Sequence, residues 1–311
     1  MRLITLTAIF LILSCYCCSQ SETIYFGALL EDKSIILEDQ YTFQKNQDSW
    51  GKSEYGMNYE NYYKYIDNIV KSYVSNYNEI IYEYTLKFHV QEMDKLTNIK
   101  IGDKFYVASE SGVYNSEVIG YRVDLEDMIG SGIVFYSLLN KVSDDEQKIV
   151  LVSTSNTISK MFWEEISDKT TVNNIKKTLL SKVKHIKVTE GEDAGKKISS
   201  IKDDELTILK GSFTLKDAEE YLVSWCKRIS FDSYACVTYV MDENGKIIKT
   251  VFKLREKEFY FTKASAICDI NGDGICEIIT EEGYYEGHGW GLWKFDGEEL
   301  NLVTSGFYFG V

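Results

Sequence analysis

The chain has 311 residues, of which 44% are hydrophobic and 26% are charged. A chain of this length and composition can bury a substantial core, and we expect one large domain or two moderate ones. The formal net charge of −14 disfavours nucleic-acid binding, because such binding needs lysine and arginine to neutralise phosphates. An acidic surface is typical of an exported protein and of one that binds cations.

The amino terminus predicts export. Arg2 precedes an apolar run, residues 3–13, which is too short to span a bilayer but is typical of a secretory signal peptide. We therefore expect residues 1–14 to be a signal peptide. The run Ile12-Leu13-Ser14-Cys15 resembles a bacterial lipobox, which implies an acylated Cys15 and a lipoprotein held at a membrane of the cell envelope. The alternative is ordinary cleavage within residues 17–21, which would give a secreted protein.

Residues 15–190 predict an amino-terminal β-rich domain with a helix. Apolar residues recur at intervals of three and four over residues 59–77, as on one face of an amphipathic helix. Residues 82–90 alternate apolar and polar side chains, which is typical of a half-buried strand. Further strands are predicted at residues 104–108, 117–123, 133–139 and 149–153. The turn residues between them favour antiparallel pairing.

A second helix is predicted where Val172, Ile175, Leu179 and Val183 share one face and Asp168 can cap the start. The basic part of the chain lies here, with the lysines Lys176, Lys177, Lys182, Lys184 and Lys187. These lysines fit a solvated helix face, and in a lipoprotein they can also lie against anionic headgroups. The polar, glycine-bearing residues 190–197 predict a domain boundary.

Residues 197–311 predict a carboxy-terminal β domain. Two β-hairpins are expected there, turning at residues 242–246 and 296–299, because strand-like segments lie on both sides of each turn. The predicted fold class is therefore α+β, mainly antiparallel sheets with two or more helices.

Residues 269–277, which we call the acidic loop, carry oxygen ligands at alternate positions. Calcium binds about six to eight oxygens from carboxylates, amides and main-chain carbonyls. A plain surface turn is the alternative, since Asn-Gly and Asp-Gly are strong turn dipeptides. We favour a cation, because clustered carboxylates repel one another unless a positive charge lies among them. The predicted calcium ligands are Asp269, Asn271, Asp273, the Ile275 carbonyl and Glu277.

The sequence around the acidic loop also indicates which type of calcium loop it is. An EF-hand would need an acid at position twelve and helices on both sides, whereas Thr280 stands at that position and strand-like segments flank the loop. We therefore expect the loop to form the tip of a β-hairpin.

The acidic loop resembles the calcium loops of FG-GAP repeats, which occur in integrin α-subunit propellers and in bacterial secreted proteins. The resemblance covers residues 267–279, and residues 284–287 with 292–298 resemble the next hairpin of such a repeat. It implies one Ca²⁺ bound at a hairpin tip. Because the sequence holds a single copy of the motif, a lone module is favoured over a complete propeller.

Four cysteines lie in the last third of the chain: Cys226, Cys236, Cys268 and Cys276. Export into an oxidising space permits disulfides, and four cysteines allow three pairings. We favour Cys226 with Cys236, and Cys268 with Cys276, which would clamp the two legs of the acidic loop. A zinc site is disfavoured because the short paired cysteine spacing is missing.

Residues 281–293 combine acids, aromatic residues and glycines. The simplest interpretation is a glycine-rich connection between strands with inward-packed tryptophans. A second is a ligand loop for a sugar or a protein, built from Tyr284, Tyr285, Glu286, His288 and Trp290. A third is a secreted glycoside or peptide hydrolase that uses acids of residues 281–288.

The usual local signatures of catalysis are missing from the sequence, including Gly-x-Ser-x-Gly, His-Glu-x-x-His and a phosphate-binding glycine loop. We therefore expect a protein that is not an enzyme. The predicted function is an exported, lipid-anchored binding or structural module with one structural calcium site. The secreted hydrolase is the alternative.

Overall fold

The computed structural model describes residues 23–29, 34–38, 86–88, 99–125, 133–139, 149–162, 166, 168–191, 193–258, 260–284, 287–296 and 298–310. Within these residues the fold is mainly antiparallel β-sheet, with fifteen strands in three sheets and one α-helix. The predicted β-rich architecture is confirmed at this level. The signal peptide, Cys15, the helix predicted at residues 59–77 and most of the strand predicted at residues 82–90 lie outside the described residues.

The first sheet closes on itself. Six of its strands form a ring in the order β5-β4-β7-β1-β2-β6, because β6 also pairs with β5, and β3 adds to the edge of β5. Alternate side chains from the ring fill its interior, among them Leu37, Val107 and Val152. The strands are β1 (Ile24–Leu29), β2 (Ile35–Glu38), β3 (Leu86–Phe88), β4 (Lys104–Ala108), β5 (Val113–Leu125), β6 (Ile133–Leu139) and β7 (Ile149–Ser153).

The second sheet carries the helix α1 (Lys169–Val183) on one face. The helix begins where the Asp168 carboxylate accepts hydrogen bonds from two main-chain N–H groups of the first turn, which would otherwise have no partner. Its buried side chains recur every four residues, so that one stripe faces the sheet. The strands follow one another in the order β11-β10-β9-β8. They are β8 (Leu206–Gly211), β9 (Glu220–Arg228), β10 (Ser233–Met241) and β11 (Ile247–Glu258).

The third sheet lies between the other two. One of its faces packs on the second sheet through Ile267 and Ile278, and the other packs on the outside of the ring through Ala266 and Ile279. Its strands pair in chain order. They are β12 (Phe261–Cys268), β13 (Glu277–Tyr284), β14 (Gly287–Asp296) and β15 (Glu299–Gly310). The acidic loop joins β12 to β13 and therefore lies where all three layers meet.

Several predicted strands have the predicted bounds, namely β4, β6 and β7, while β5 extends beyond both ends of its prediction. The strands β1, β2, β8 and β9 were not predicted. At the domain boundary expected at residues 190–197, the described residues on its two sides are hydrogen-bonded to each other. Val188 N donates to Lys196 O, and Gly195 N donates to Val188 O. The helix before this segment packs on the sheet that follows it. None of the helices in the described residues has the length and apolar character needed to cross a membrane.

The β10–β11 turn provides a test of how α1 is docked. Gly245 has a φ of 75°, and a Cβ built there would lie 2.7 Å from the main-chain oxygen of Asn174 in α1. Gly245→Ala should therefore lower the free energy of unfolding by about 2–4 kcal/mol in urea denaturation, from left-handed strain and overpacking together.

The matched control is Gly195→Ala. Gly195 also has a positive φ, of 81°, but a Cβ there would meet no atom within 4 Å. It should cost only the left-handed strain, about 1–2 kcal/mol. Equal losses in the two variants would contradict the close approach of α1 to this turn.

Candidate metal centre

The backbone of the acidic loop is folded around the carboxylate of Asp269. Its Oδ1 accepts hydrogen bonds from the N–H groups of Asn271 (3.3 Å) and Gly272 (2.7 Å), and its Oδ2 accepts one from Gly274 (2.9 Å). Gly272 and Gly274 have φ values of 73° and 85°, a region that glycine enters without steric cost. The alternation of acids and glycines therefore sets the shape of the loop.

Asn271 and Asp273 form the outer part of the loop. Asn271 Nδ2 donates to Asp273 Oδ2 at 2.9 Å, and Ile275 N donates to Asp273 Oδ1 at 2.8 Å. Partial burial opposes ionisation of Asp273, but these hydrogen bonds and the nearby Lys294 charge outweigh it, so the pKa of Asp273 is lowered. Asp273 is thus an anion at neutral pH.

Glu277 is the buried acid of the loop, with 1% of its side chain exposed. Its Oε2 accepts a hydrogen bond from Ile270 N at 2.9 Å, which ties the two ends of the loop together. Its Oε1 is buried and faces the ammonium group of Lys294 at 3.0 Å. Burial raises the pKa of Glu277, against the opposing effects of the Ile270 hydrogen bond and Lys294.

A cationic side chain lies beside these two acids. Lys294 Nζ is 3.0 Å from Glu277 Oε1 and 3.5 Å from Asp273 Oδ2. Burial alone would lower the pKa of Lys294, but its hydrogen bonds and ion pairs with Glu277 and Asp273 raise it overall. The ammonium therefore marks a point toward which oxygens from both ends of the loop are directed.

The loop is held by connections from both neighbouring layers. Asp269 exchanges two hydrogen bonds with Ser159, from Ser159 N to Asp269 O (2.7 Å) and from Asp269 N to Ser159 Oγ (2.9 Å). On the other side, Cys276 N donates to Ser212 O at 2.7 Å. Residues 154–162 follow the ring, and Ser212 follows β8, so the loop links the ring to the second sheet.

The predicted ligands do not all point to one place. Asp273 and Glu277 converge on Lys294, and Asn271 contacts Asp273, whereas the Asp269 carboxylate is taken up by the loop's own N–H groups. In the part of the chain that the structure describes, no group of three or more His, Cys, Asp or Glu side chains is arranged to hold a metal. The donor chemistry, carboxylate and amide oxygen, is of the type that a hard cation such as Ca²⁺ prefers.

Lys294 is the site residue that the sequence analysis missed. Ile278 pairs with Trp293 in the β13–β14 ladder, so the same register places Lys294 directly across from Glu277. Opposite charges at such positions attract each other. The hairpin register could have revealed this pair.

The cysteines differ from the expected pattern in one respect. Cys226 and Cys236, which lie opposite each other on β9 and β10, are joined by a disulfide. Cys268 and Cys276 are separate thiols, so the expected second pair is not formed. They face opposite sides of the third sheet: Cys268 packs on the ring side, whereas Cys276 packs on the side of the second sheet. Burial raises the pKa of the Cys268 thiol to about 12.

Within the segment 281–293, residues 281–284 belong to β13 and residues 287–293 belong to β14. These two strands are paired, with Glu281 opposite Trp290. Trp290 is half-buried against the ring-side core. The neighbouring Glu282 is buried and accepts hydrogen bonds from Tyr260 Oη (3.1 Å) and Thr280 Oγ1 (3.2 Å). The structure does not describe the side chains of four of the predicted ligand-loop residues, namely Tyr284, Tyr285, Glu286 and His288.

The ion pair between Lys294 and the buried Glu277 can be tested without calcium. In chelator, Lys294→Met should lower the free energy of unfolding by about 1–3 kcal/mol, because the buried Glu277 carboxylate loses its counter-charge while Lys294 itself is partly exposed. Urea denaturation would measure the loss.

The control is Lys253→Met, which removes an exposed lysine from β11. It should change the free energy of unfolding by less than about 0.5 kcal/mol. If both variants were equally stable, Lys294 would not be compensating a buried charge.

No protein-family model, curated protein or solved structure matches the chain.

Proposed function

We propose that this chain is an exported β-rich module whose acidic loop binds one structural Ca²⁺, and that it serves as a binding or structural protein of the cell envelope. The observation that carries the proposal is the convergence of two anionic oxygens on one point: the buried Glu277 Oε1 and Asp273 Oδ2 lie 3.0 Å and 3.5 Å from the Lys294 ammonium. A buried carboxylate needs a positive partner, because the charged form is strongly disfavoured in a protein interior.

Calcium suits these oxygens better than an ammonium group does. It carries twice the charge of Lys294 and accepts about six to eight oxygen ligands, whereas an ammonium has only three protons to donate. Asn271, Asp273, the Ile275 carbonyl and Glu277 would hold the ion, with Asp269 completing the set. Lys294 would then have to withdraw, and its partly exposed position allows that.

A bound ion would act on stability. The acidic loop is hydrogen-bonded to Ser159 on one side and to Ser212 on the other, so an ion that fixes the loop also fixes the contacts between the three layers. Any ligand that binds only the folded form stabilises it by mass action. This supports a structural role for calcium.

The FG-GAP-like interpretation, the acylated Cys15 and the helix near residues 59–77 are parts of the same proposal. The first is supported by the place of the loop, between the first two strands of a four-stranded antiparallel sheet. The second is supported by the lipobox-like sequence before Cys15. A sugar or a protein is the ligand class that the aromatic residues around Trp290 favour.

Calcium should raise the thermal stability of the chain. At an ion concentration about 100-fold above the dissociation constant, the gain is about 2.7 kcal/mol, which corresponds to roughly 4 °C in Tm for a chain of this size. Differential scanning calorimetry in calcium and in chelator would measure it. Asp273→Ala should abolish the difference, because it removes a ligand and its charge.

Two further variants make this test specific. Asp296→Ala removes an exposed acid of β14 outside the loop and should keep the full calcium effect. Lys294→Met should bind calcium more tightly in isothermal titration calorimetry, because no ammonium competes for the oxygens. A calcium effect that persists in Asp273→Ala, or none in the parent chain, would refute the site.

The hydrolase alternative has its own measurement. If residues 281–288 held catalytic acids, Glu286→Gln should lower the rate on chromogenic glycoside or peptide substrates by at least about 100-fold. We expect the parent chain and Glu286→Gln to show the same background rate. A parent rate above background that falls in the variant would establish an enzyme.

A further inference from the structure

The residues that follow the ring form a strap beside the acidic loop. The strap, residues 155–162, runs antiparallel to the end of β12: Phe162 N donates to Ile267 O at 2.9 Å, and Ile267 N donates to Phe162 O at 3.1 Å. Met161 is buried in the core on the ring side, and its N–H donates to Ser109 O at 3.0 Å, just after β4 of the ring. The strap is therefore fixed to both the ring and β12.

Ser159 connects the strap to Asp269. Ser159 N donates to Asp269 O at 2.7 Å, and Ser159 Oγ accepts a hydrogen bond from Asp269 N at 2.9 Å. Strand β12 ends one residue earlier, at Cys268, which is the last residue paired with β13. Because Asp269 N lies beyond that ladder, the Ser159 hydroxyl supplies the acceptor that a main-chain N–H group needs. Both main-chain polar groups of Asp269 are thus bonded to one residue of the strap.

The carboxylate of Asp269 is bonded in the other direction, to the acidic loop. Its oxygens accept hydrogen bonds from the N–H groups of Asn271, Gly272 and Gly274. Asp269 is therefore a pivot, because the strap holds its main chain while its side chain holds the turn of the loop. A shift in the main chain of Asp269 would move the carboxylate and, with it, the N–H groups that the carboxylate holds.

We propose that Ser159 is a positioning residue of the acidic loop, which orders the loop through Asp269 before an ion arrives and thereby sets the calcium affinity of the site. This inference rests on the proposed calcium function, and it adds to that site a residue that lies 110 positions from Asp269 in the sequence and does not itself bind the ion. A binding site that is ordered in advance binds more tightly, because the entropic cost of ordering it does not fall on the binding step.

The ordering can be tested without calcium. Ser159→Ala removes the acceptor of Asp269 N, so the Gly272 and Gly274 amides should exchange their hydrogens about three- to tenfold faster, the effect of one lost hydrogen bond. Exchange is followed by NMR on the full chain in chelator. Amides of β9, in the second sheet, should exchange as in the parent, and Ser159→Thr, which keeps a hydroxyl, should restore the loop. Unchanged exchange at Gly272 and Gly274 in Ser159→Ala would overturn the proposal.

Isothermal titration calorimetry with calcium chloride tests the affinity. Ser159→Ala should bind calcium about tenfold more weakly, the lower end of the loss that follows when a residue supporting a metal ligand is removed. Ser159→Thr should bind like the parent. A merely structural role would lower the free energy of unfolding and leave the affinity of the folded chain unchanged. The control is Ser155→Ala, which removes a strap hydroxyl that is hydrogen-bonded to Thr157 and should keep the parent affinity.

The two measurements separate this inference from the proposed function. If the parent binds calcium and Ser159→Ala binds it equally well, the inference fails and the calcium site stands. If the parent binds no calcium, the proposed function fails and the claim about affinity fails with it, while exchange in chelator still shows whether Ser159 orders the loop.

Calcium should also act on the strap in return. Coupling between two parts of a protein is reciprocal, so calcium should slow hydrogen exchange of the Ser159 amide, which donates to Asp269 O. The same amide should respond less to calcium in Ser159→Ala, because the link to Asp269 is weakened. Calcium that binds the parent without changing exchange at Ser159 would contradict the coupling.

Discussion

A buried carboxylate in the middle layer of the fold is the constraint on which the rest depends. Glu277 opens β13, and its burial leaves the charge dependent on compensation from within the protein. That compensation comes from the loop N–H of Ile270 and from Lys294 on the next strand. The turn of the acidic loop and the register of β13 against β14 are thereby tied to a single charge. A slip of one residue in that ladder would move Lys294 to the opposite face.

The layered architecture explains why the polar groups concentrate at this loop. Both faces of the third sheet are covered, so Ile267 and Ile278 pack toward the second sheet while Ala266 and Ile279 pack toward the ring. In a hairpin that is buried on both faces, a charged side chain costs the least free energy at the end of the hairpin. The same alternation separates Cys268 from Cys276, because each follows the face that its position in the hairpin dictates.

Local features of the fold could be predicted from the sequence, and contacts between distant segments could not. The strands β4, β6 and β7, the capped helix α1 and the hairpin turn at Gly245 follow from periodicity and turn chemistry. Strand β9 was missed because its first six residues are buried and carry no alternation. The Ser159 contact with Asp269 spans 110 residues, and no spacing rule predicts it. Lys294 was predictable only after the hairpin register was known.

A lysine among the proposed calcium ligands is compatible with the proposed site, and it changes what a bound ion would contribute. Without Lys294, the chain without calcium would carry a buried carboxylate that no positive charge compensates. Calcium binding would then be more favourable by the whole free-energy cost of that buried charge. With Lys294 present, the proposed ion would replace one cation with another, and its net effect on stability would be the difference between the two. The chain would therefore remain folded without calcium, and the competing ammonium would lower its affinity for the proposed ion. Because Lys294 is partly exposed, the displaced charge can reach water, which keeps the exchange reversible.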